Sequence, residues 1–412
     1  MVENVSRRNL LRLGVGAAAA AGIASVAGCG SAFSSKPTGG SGAANGRKVK
    51  LGFIALTDCA PLVMAKELGY FTELGLDVEL IKQASWPVTR DNLLNGTIDA
   101  AHCLFSMPMS LAAGVSGSGA DLKIAMVLNQ NGQAITLKKD FAPAGYGDLA
   151  AAKALLEQKT PTLAMTYPGG THDTWLRYWL KATKANAANI KIIPIPPPQM
   201  VANMKVGTMD GFCVGEPWPG VAVDQGVGFT HIATQDIWQH HPEKALVTNA
   251  RFAAQHADTL VDVMVAVLKA AKWLDDLGNR AKAAATIGAA NYVNAPAKGI
   301  EGRLLGKYEI GAGLPAKTFN GDQMMFFRDG LVSAPRRGHI IWFLAQYQRF
   351  GLVKQAPDYT KIADELVLSD LYAKAAGKAG VTVPGDDMAP FTVKLDGVTF
   401  DPSKPDEEAK RP

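Results

Sequence analysis

From residue 48 the chain alternates short apolar runs with segments of helical periodicity. The run KVKLGFIAL predicts a strand, APLVMAKELGYFTELG predicts a helix closed by Gly75, and LDVELI predicts the next strand. The same order returns in TIDAAHCLF, KIAMVLN and QAITLK, and a polar turn over residues 129–132 separates the last two runs. This order favours a parallel sheet covered by helices.

A second unit with the same plan follows, and the chain then returns to the first. The strand TLAMTY, a helix predicted over Thr174–Lys184, and the strands IKIIPI and GFCVG make up the second unit. Near Lys244 the strand ALVTN and an amphipathic helix over Thr259–Leu277 resume the first. We therefore predict two α/β lobes joined by a pair of crossings. Their bounds are lobe 1 over 48–138 and 245–378, lobe 2 over 139–244, and a loose, Gly/Pro/Asp-rich C-terminal extension over 379–412.

The first 28 residues predict an export signal. A twin-arginine signature, SRRNLL, precedes an apolar stretch over residues 13–27 that is shorter than the roughly 20 residues of a membrane-spanning helix. The stretch ends in VAGC, which resembles a lipobox, so we expect Cys29 to be lipidated. An ordinary signal-peptidase site with an incidental Cys29 is the alternative. Residues 29–47 are rich in Ser, Gly and Ala and predict a flexible tether to a membrane surface outside the cytoplasm.

Composition and charge narrow the classes of function. The 412 residues are 48% apolar and 19% charged, as in a folded protein of about two domains. The formal charge of +5 comes from dispersed basic residues, which argues against nucleic acid. Beside Cys29, the cysteines are isolated and no HExxH motif occurs, so we predict no metal site, no cofactor and at most one disulfide. The three are Cys59, Cys103 and Cys213.

The clearest candidate binding element is the strand-to-helix junction YPGGTHD at residues 167–173. Gly170 lets backbone approach a ligand closely, and Thr171 and His172 lie in the junction before the predicted helix, whose free N–H groups favour an anion. The alternative is a purely structural turn in which Thr171 or Asp173 caps the helix and no ligand is bound. An enzyme that uses His172 and Asp173 in hydrolysis or metal chemistry is a third interpretation, although no GxSxG elbow accompanies them.

Other polar side chains fall at the ends of predicted strands or at the crossings. Each of these residues could equally have an ordinary structural role in the core, in a turn, at a crossing between the lobes or on the surface. They are Trp86 after a strand, Gln133 at the start of one, Lys244 at the second crossing, and Glu216 with Trp218 in the rigid loop GEPWPG.

Several blocks of the chain resemble the substrate-binding proteins of the nitrate/nitrite/bicarbonate ABC transporter family. They include LGFIALTDCAPLVMAKELGYF, SWPVTRDNLLNGTIDAAH, LNQNGQAITL, YPGGTHDTWLRYWL, VGEPW and HIIWFLAQYQRFGLV. The resemblance implies a two-lobed, type II periplasmic-binding-protein fold with a ligand cleft between the lobes and no catalysis. It also implies a permease and ATPase subunits as partners, and places Trp86, Gln133, His172 and Lys244 in the pocket.

The chemistry of these donors favours nitrate, with nitrite as a second ligand. Nitrate only accepts hydrogen bonds, and an indole, an amide, an imidazole and an ammonium can all donate to it. Bicarbonate carries an O–H that requires a hydrogen-bond acceptor in the pocket. In bicarbonate-binding relatives a carboxylate replaces the lysine. Because Glu243 precedes Lys244, a shift of one residue in the comparison reverses this choice. A sulfonate or another organic anion bound by the same fold is the remaining alternative.

Overall fold

The computed structural model describes residues 46–117 and 121–412. The predicted signal peptide, Cys29 and most of the tether lie outside the described residues. The strands are β1 (Arg47–Phe53), β2 (Leu76–Lys82), β3 (Ala100–Leu104), β4 (Leu122–Gln130), β5 (Gln133–Lys138), β6 (Thr162–Met165), β7 (Lys191–Pro194), β8 (Gly211–Gly215), β9 (Gly228–Ala233), β10 (Pro242–Asn249), β11 (Lys307–Tyr308), β12 (Lys317–Thr318), β13 (Phe391–Val393) and β14 (Val398–Phe400).

Helices surround these strands. They are α1 (Ala60–Glu67), α2 (Tyr70–Glu73), α3 (Trp86–Asn95), α4 (Met107–Ala112), α5 (Leu149–Lys159), α6 (Thr171–Thr183), α7 (Met200–Lys205), α8 (Trp218–Asp224), α9 (Ala250–Gln255), α10 (Ala257–Asp275), α11 (Arg280–Ile287), α12 (Ala297–Leu304), α13 (Arg337–Arg349), α14 (Tyr359–Leu366), α15 (Ser369–Ala379) and α16 (Pro405–Ala409). Short 3-10 turns, such as Thr57–Cys59 directly after β1, connect several of them.

Two mixed five-stranded sheets form the framework, which confirms the predicted α/β class. The first sheet has the order β2-β1-β3-β10-β4, and the second has the order β7-β6-β8-β5-β9. β1 pairs in parallel with β2 and β3, whereas β10 runs antiparallel to β3 and β4. In the second sheet β5 runs antiparallel to β8 and β9. Each sheet thus holds one reversed strand that carries the chain to or from the other sheet.

The first crossing between the sheets is only two residues long. Asn131 and Gly132 separate β4 from β5 with φ angles of 63° and 92°. A Cβ on Gly132 would stand 2.2 Å from Cε of Met324, so both the backbone angle and the space require glycine there. Asn131 also accepts a hydrogen bond from the backbone N–H of His240 (3.0 Å), which ties the first crossing to the second.

The predicted boundary of lobe 1 at residue 138 is wrong by one strand. β5 begins at Gln133 and pairs with β8 and β9 of the second sheet. The sequence QAITLK is typical of a buried strand in either sheet. The sheet to which β5 belongs depends on its hydrogen-bonding partners, which the sequence of the strand does not specify.

The start of α6 also differs from the prediction. The helix begins at Thr171 rather than Thr174, because Gly170 adopts the extended N-cap conformation and Asp173 accepts a hydrogen bond from the N–H of Gly169 (2.9 Å). His172 therefore lies within the first turn of the helix.

The C-terminal segment is ordered against the rest of the chain, and its prediction as a loose extension is wrong. β13 and β14 form a hairpin whose Phe391 stacks on Trp238, with ring centroids 4.3 Å apart. On α16, Glu408 is buried and pairs with Arg349 of α13 (3.3 Å). The segment is polar in composition, but its few apolar and paired residues meet partners that are distant in sequence.

Candidate functional site

A buried group of charged side chains lies where the two sheets meet. Each member is 0% exposed, and we call the group the buried ionic cluster. Its members are Asp58, His102, His172, Glu243 and Lys244. Ionisable groups are seldom buried without a partner, so this concentration needs a structural or functional reason.

Four separate segments bring the cluster together. Asp58 lies in the 3-10 turn that follows β1, and His102 lies on β3. His172 is in the first turn of α6, while Glu243 and Lys244 open β10. Because Lys244 pairs with Leu104 on β3, the start of β10 is held at the end of the first sheet.

Lys244 is the central cation. Its Nζ lies 2.8 Å from Oδ2 of Asp58 and 2.7 Å from Oε1 of Glu243. Burial acts to lower the pKa of Lys244, but the two carboxylates outweigh it and the pKa is raised. The ammonium therefore stays charged. It bridges Asp58, which follows β1 of the first sheet, to Glu243, which lies beside the first turn of α6.

Glu243 collects donors from the second unit. Thr171 Oγ1 donates to Oε1 (2.6 Å) and the indole of Trp175 donates to Oε2 (3.1 Å). Burial acts to raise the pKa of Glu243, but Lys244 and the neighbouring imidazole of His172 outweigh it and the pKa is lowered. The carboxylate lies beside the first turn of α6, where the helix dipole also favours negative charge.

The two cluster histidines have different surroundings. His102 Nε2 lies 2.6 Å from Oδ1 of Asp58, and its Nδ1 accepts the N–H of Ile54 (3.5 Å). In His172, Nδ1 lies 2.6 Å from Thr166 Oγ1, whereas Nε2 is 3.2 Å from Glu243 Oε1 without hydrogen-bond geometry. Burial lowers the pKa of both rings, against the opposing effect of the carboxylates.

Trp86 forms a wall of the cluster. It is the first residue of α3, whose N-cap Ser85 accepts the N–H of Val88. The ring centroid lies 5.9 Å from Lys244 Nζ and 5.9 Å from the ring of His102.

Among the residues that the structure describes, the buried indole N–H of Trp86 has no hydrogen-bond partner. The buried indoles of Trp179 and Trp342 also lack a partner among the same residues. The position of Trp86 beside Lys244 is therefore what makes its N–H a candidate donor to a ligand in this cluster.

Gly170 and Gln133 lie next to the cluster in different ways. A Cβ on Gly170 would stand 2.8 Å from Leu104 Cδ1 and 2.9 Å from the carbonyl of Tyr167, so the junction needs its small residue. Gln133 Nε2 donates to the carbonyl of Asn131 (3.2 Å). Its amide thus bonds to the crossing and not to a member of the cluster.

Glu216 and Trp218 lie outside the cluster. Glu216 pairs with Arg303 (3.3 Å) and accepts the N–H of Gly220 (3.2 Å), and the indole of Trp218 donates to the carbonyl of Ala55 (3.0 Å). The structure therefore gives both side chains a role in holding the loop after β8 and offers no support for them as ligand contacts.

Sequence reasoning missed Asp58, His102 and Trp175 and treated Glu243 only as a neighbour of Lys244. A usable signal existed for Asp58, since it follows the end of β1 just as Trp86 follows β2. No such signal marks His102, which is a polar residue inside the apolar strand β3. Its meaning depends on Asp58 lying opposite.

Metal ligands and reactive thiols are not found in the described ranges. Within residues 46–117 and 121–412, no group of three or more His, Cys, Asp or Glu side chains could hold a metal ion. The three cysteines there are free and buried, and burial raises the pKa of each thiol. Thiols of this kind are unreactive. No helix of the same residues has the length and apolar character needed to span a bilayer.

Comparisons with known proteins agree on one class. Residues 42–288 match the NMT1-like family. The nitrate/nitrite binding protein NrtA of a Nostoc species is 39% identical over 437 residues, covering 98% of both chains. The crystal structure of the periplasmic nitrate-binding protein NrtA from Synechocystis has a TM-score of 0.84 at 37% identity, covering 88% of this chain and 98% of that one. The bicarbonate-binding protein CmpA of a Synechococcus species is 30% identical over 382 residues, covering 87% of this chain and 85% of that protein.

Proposed function

This chain belongs to the NMT1-like family and has the periplasmic-binding-protein fold, and we propose that it captures nitrate, and also nitrite, for an ABC importer. It holds the anion in the buried ionic cluster outside the cytoplasmic membrane and delivers it to a permease driven by ATPase subunits. The observation that carries the proposal is a set of buried polar groups in one place: the ammonium of Lys244, the Trp86 N–H and His172 Nε2, of which the last two make no hydrogen bond among the described residues.

The donor set suits an anion that only accepts. Nitrate has three oxygens, one charge and no hydrogen, so each donor can reach an oxygen and none needs an acceptor in return. Nitrite has the same charge and fewer oxygens. A charge-assisted bond from Lys244 would supply the largest single contribution.

The two carboxylates of the cluster already accept hydrogen bonds from protein donors. Oε1 of Glu243 already accepts from Thr171 and Lys244, and Oε2 accepts from Trp175. Asp58 is engaged by His102 and Lys244. Each carboxylate oxygen has two lone pairs, so Glu243 Oε2 and both oxygens of Asp58 keep some capacity to accept, and the choice between nitrate and bicarbonate is left to titration.

A hydrolytic use of His172 and Asp173 lacks support. Asp173 Oδ1 binds Nε of Arg177 (2.7 Å), and Oδ2 accepts the N–H of Gly169. The carboxylate therefore fixes the helix start and does not orient the imidazole, as a catalytic dyad would require. The relatives' names also describe binding proteins.

Access to the cluster requires movement, because its members are completely buried. We infer that the two units on either side of the crossings open and close around the anion, with Asn131 and Gly132 among the residues that absorb the change. The closed form excludes water, which strengthens each hydrogen bond to the ligand.

We further propose that the mature protein is lipid-anchored through Cys29 after export by the twin-arginine route. The support is the SRRNLL signature and the VAGC sequence that ends the apolar stretch. Changing Cys29 to Ser should release the protein from membranes of the producing cell into the soluble fraction. Retention of the variant in the membrane fraction contradicts the anchor.

Calorimetric titration of the purified protein tests the ligand. Nitrate and nitrite should bind with a stoichiometry of one, while bicarbonate and taurine should give no saturable heat. Lys244→Met should weaken nitrate binding about tenfold or more, the loss of a charge-assisted hydrogen bond. Lys138→Met provides the control, since Lys138 pairs with Asp210 on the surface (3.2 Å). Tight bicarbonate binding, or equal nitrate affinity in both variants, contradicts the proposal.

A further inference from the structure

The buried ionic cluster has more negative than positive fixed charge. Burial acts to raise the pKa values of Asp58 and Glu243, but the ammonium of Lys244 is the largest opposing effect and both carboxylates have lowered pKa values. Lys244 is their only lysine or arginine partner within ion-pair distance in the described part of the chain. With neutral histidines the empty cluster therefore carries one net negative charge. A site built this way resists a further anion unless a positive charge arrives with it.

Two of the three nearby histidines already use both ring nitrogens. His102 accepts at Nδ1 from Ile54 and must then donate from Nε2 to Asp58. His241 donates from Nδ1 to the carbonyl of Pro242 (3.2 Å), and its Nε2 lies 2.8 Å from the hydroxyl of Thr234. Burial lowers the pKa of His241 to about 4. Each of these rings is satisfied as a neutral imidazole.

His172 is the exception. Its Nδ1 lies 2.6 Å from Thr166 Oγ1, and its buried Nε2 has no hydrogen bond within the described residues and lies 3.2 Å from Glu243 Oε1. We assign the empty site the neutral tautomer in which Nδ1–H donates to Thr166, so that Nε2 keeps its lone pair. The charged groups that act on it are Glu243 and Lys244 on β10 and Asp58 after β1. A proton on Nε2 would face both the Glu243 carboxylate and an anion placed near Lys244.

We propose that the site takes up one proton with each anion, that His172 Nε2 receives this proton, and that Glu243 imposes the requirement. This inference rests on the proposed capture of nitrate. The proton comes from hydronium or from the acid form of the buffer, whose O–H or N–H bond breaks as the N–H bond forms on the imidazole. The net charge of the cluster is then the same when empty and when occupied.

The coupling also makes Glu243 a determinant of specificity. A dianion such as sulfate requires two protons, and His102 and His241 have no free ring nitrogen to accept the second. The site should therefore hold singly charged anions only. Nitrate affinity should fall as the pH rises above the pKa of His172 in the empty protein, approaching tenfold per pH unit, until the pH reaches the higher pKa of His172 in the complex.

The number of protons can be measured directly by calorimetry. Nitrate is titrated into the purified protein at pH 7.5 in PIPES, HEPES and Tris, whose ionisation enthalpies differ. A plot of the observed enthalpy against the ionisation enthalpy should have a slope that corresponds to uptake of about one proton, as expected for a single coupled site. Glu243→Gln should bring the slope close to zero and flatten the pH profile of nitrate affinity. Glu79→Gln, at an exposed position of β2, should leave both unchanged.

The outcomes separate the two proposals. Nitrate binding by the wild type with no proton uptake and a flat pH profile overturns the coupling and leaves nitrate capture intact. No nitrate binding in any buffer overturns the proposed function and this inference with it. Wild-type proton uptake in Glu243→Gln overturns the role of Glu243. If that variant does not fold, the buffer series on the wild type alone decides whether the proton is taken up.

Discussion

Replacing Lys244 with methionine tests the electrostatics of the site independently of any ligand. Methionine keeps most of the side-chain volume but removes the ammonium that lies 2.8 Å from Asp58 and 2.7 Å from Glu243. Two buried carboxylates then lose their common cation. Breaking a buried ion pair from one side costs about 3–5 kcal/mol. At about 2 °C per kcal/mol for a large domain, the midpoint of thermal unfolding should fall by about 6–10 °C.

The stability difference between the wild type and Lys244→Met should depend on pH in a defined direction. In the wild type the pKa values of Asp58 and Glu243 are lowered, so their contribution to stability is present above the unfolded-state pKa of about 4 and is lost as the pH falls through the folded values. Without Lys244, burial should raise these pKa values, so ionisation then penalises the folded state. The stability gap between wild type and variant should therefore widen as the pH rises from about 4 to 8.

Thermal unfolding followed by calorimetry across this pH range is the assay. Lys138→Met is the matched control, because its pair with Asp210 is partly exposed and should contribute about 1 kcal/mol or less. Adding Asp58→Asn to Lys244→Met should restore part of the loss by removing one uncompensated carboxylate. An unfolding midpoint for Lys244→Met that matches the control at pH 8, or a gap that does not depend on pH, refutes the reasoning.

Three further predictions concern other parts of the structure. Trp86→Phe should raise the dissociation constant for nitrate about fivefold in calorimetry, since it removes a donor worth about 1 kcal/mol that has no partner within the described residues. It should also lower the unfolding midpoint, because the smaller ring leaves a cavity at a fully buried position. Burial raises the pKa of Asp322 to about 6. The carboxylate is therefore ionised at neutral pH at a cost to the free energy of folding. Asp322→Asn should therefore raise the unfolding midpoint at pH 7.5 and give no gain near pH 4. Ending the chain after residue 390 removes Phe391 from the face of Trp238 and should lower the midpoint and shift tryptophan emission to the red.

Each of these has a clear contrary result. Unchanged nitrate affinity in Trp86→Phe removes the indole from the binding site. An Asp322→Asn midpoint that stays below wild type at pH 7.5 shows that its bond from Asn131 outweighs the cost of the buried charge. A truncated chain with wild-type midpoint and emission means that the C-terminal hairpin and α16 add no stability.

The letters of the chain predicted the fold class because local periodicity is sufficient for it. β4 contains the apolar run IAMVL, β1 alternates polar and apolar residues before an apolar end, and α10 shows the helical period over its whole length. The glycine junction before α6 was recognisable from composition alone. The placement of Trp86, His172 and Lys244 in one pocket came from the family resemblance, and the structure brings these three side chains around the same cluster.

Other features could not be read from local patterns. Gln133 begins β5, and the sheet to which this strand belongs is decided by its pairing with β8. In that pairing Gln133 lies opposite Gly215, which is 82 residues further along the chain. The C-terminal segment looks polar and loose until Phe391 meets Trp238. Both outcomes depend on contacts between residues far apart in sequence, which propensity and periodicity do not encode.

By itself, then, the sequence determined the alternation of strands and helices, the two-unit plan, the export signature and the presence of donors at strand ends. Only the tertiary structure decided that Asp58 and Glu243 share Lys244 and that His172 keeps one ring nitrogen free among the described residues. The physical reason is that charge balance and hydrogen-bond capacity are properties of side chains from different segments once they are buried together. No single segment carries them.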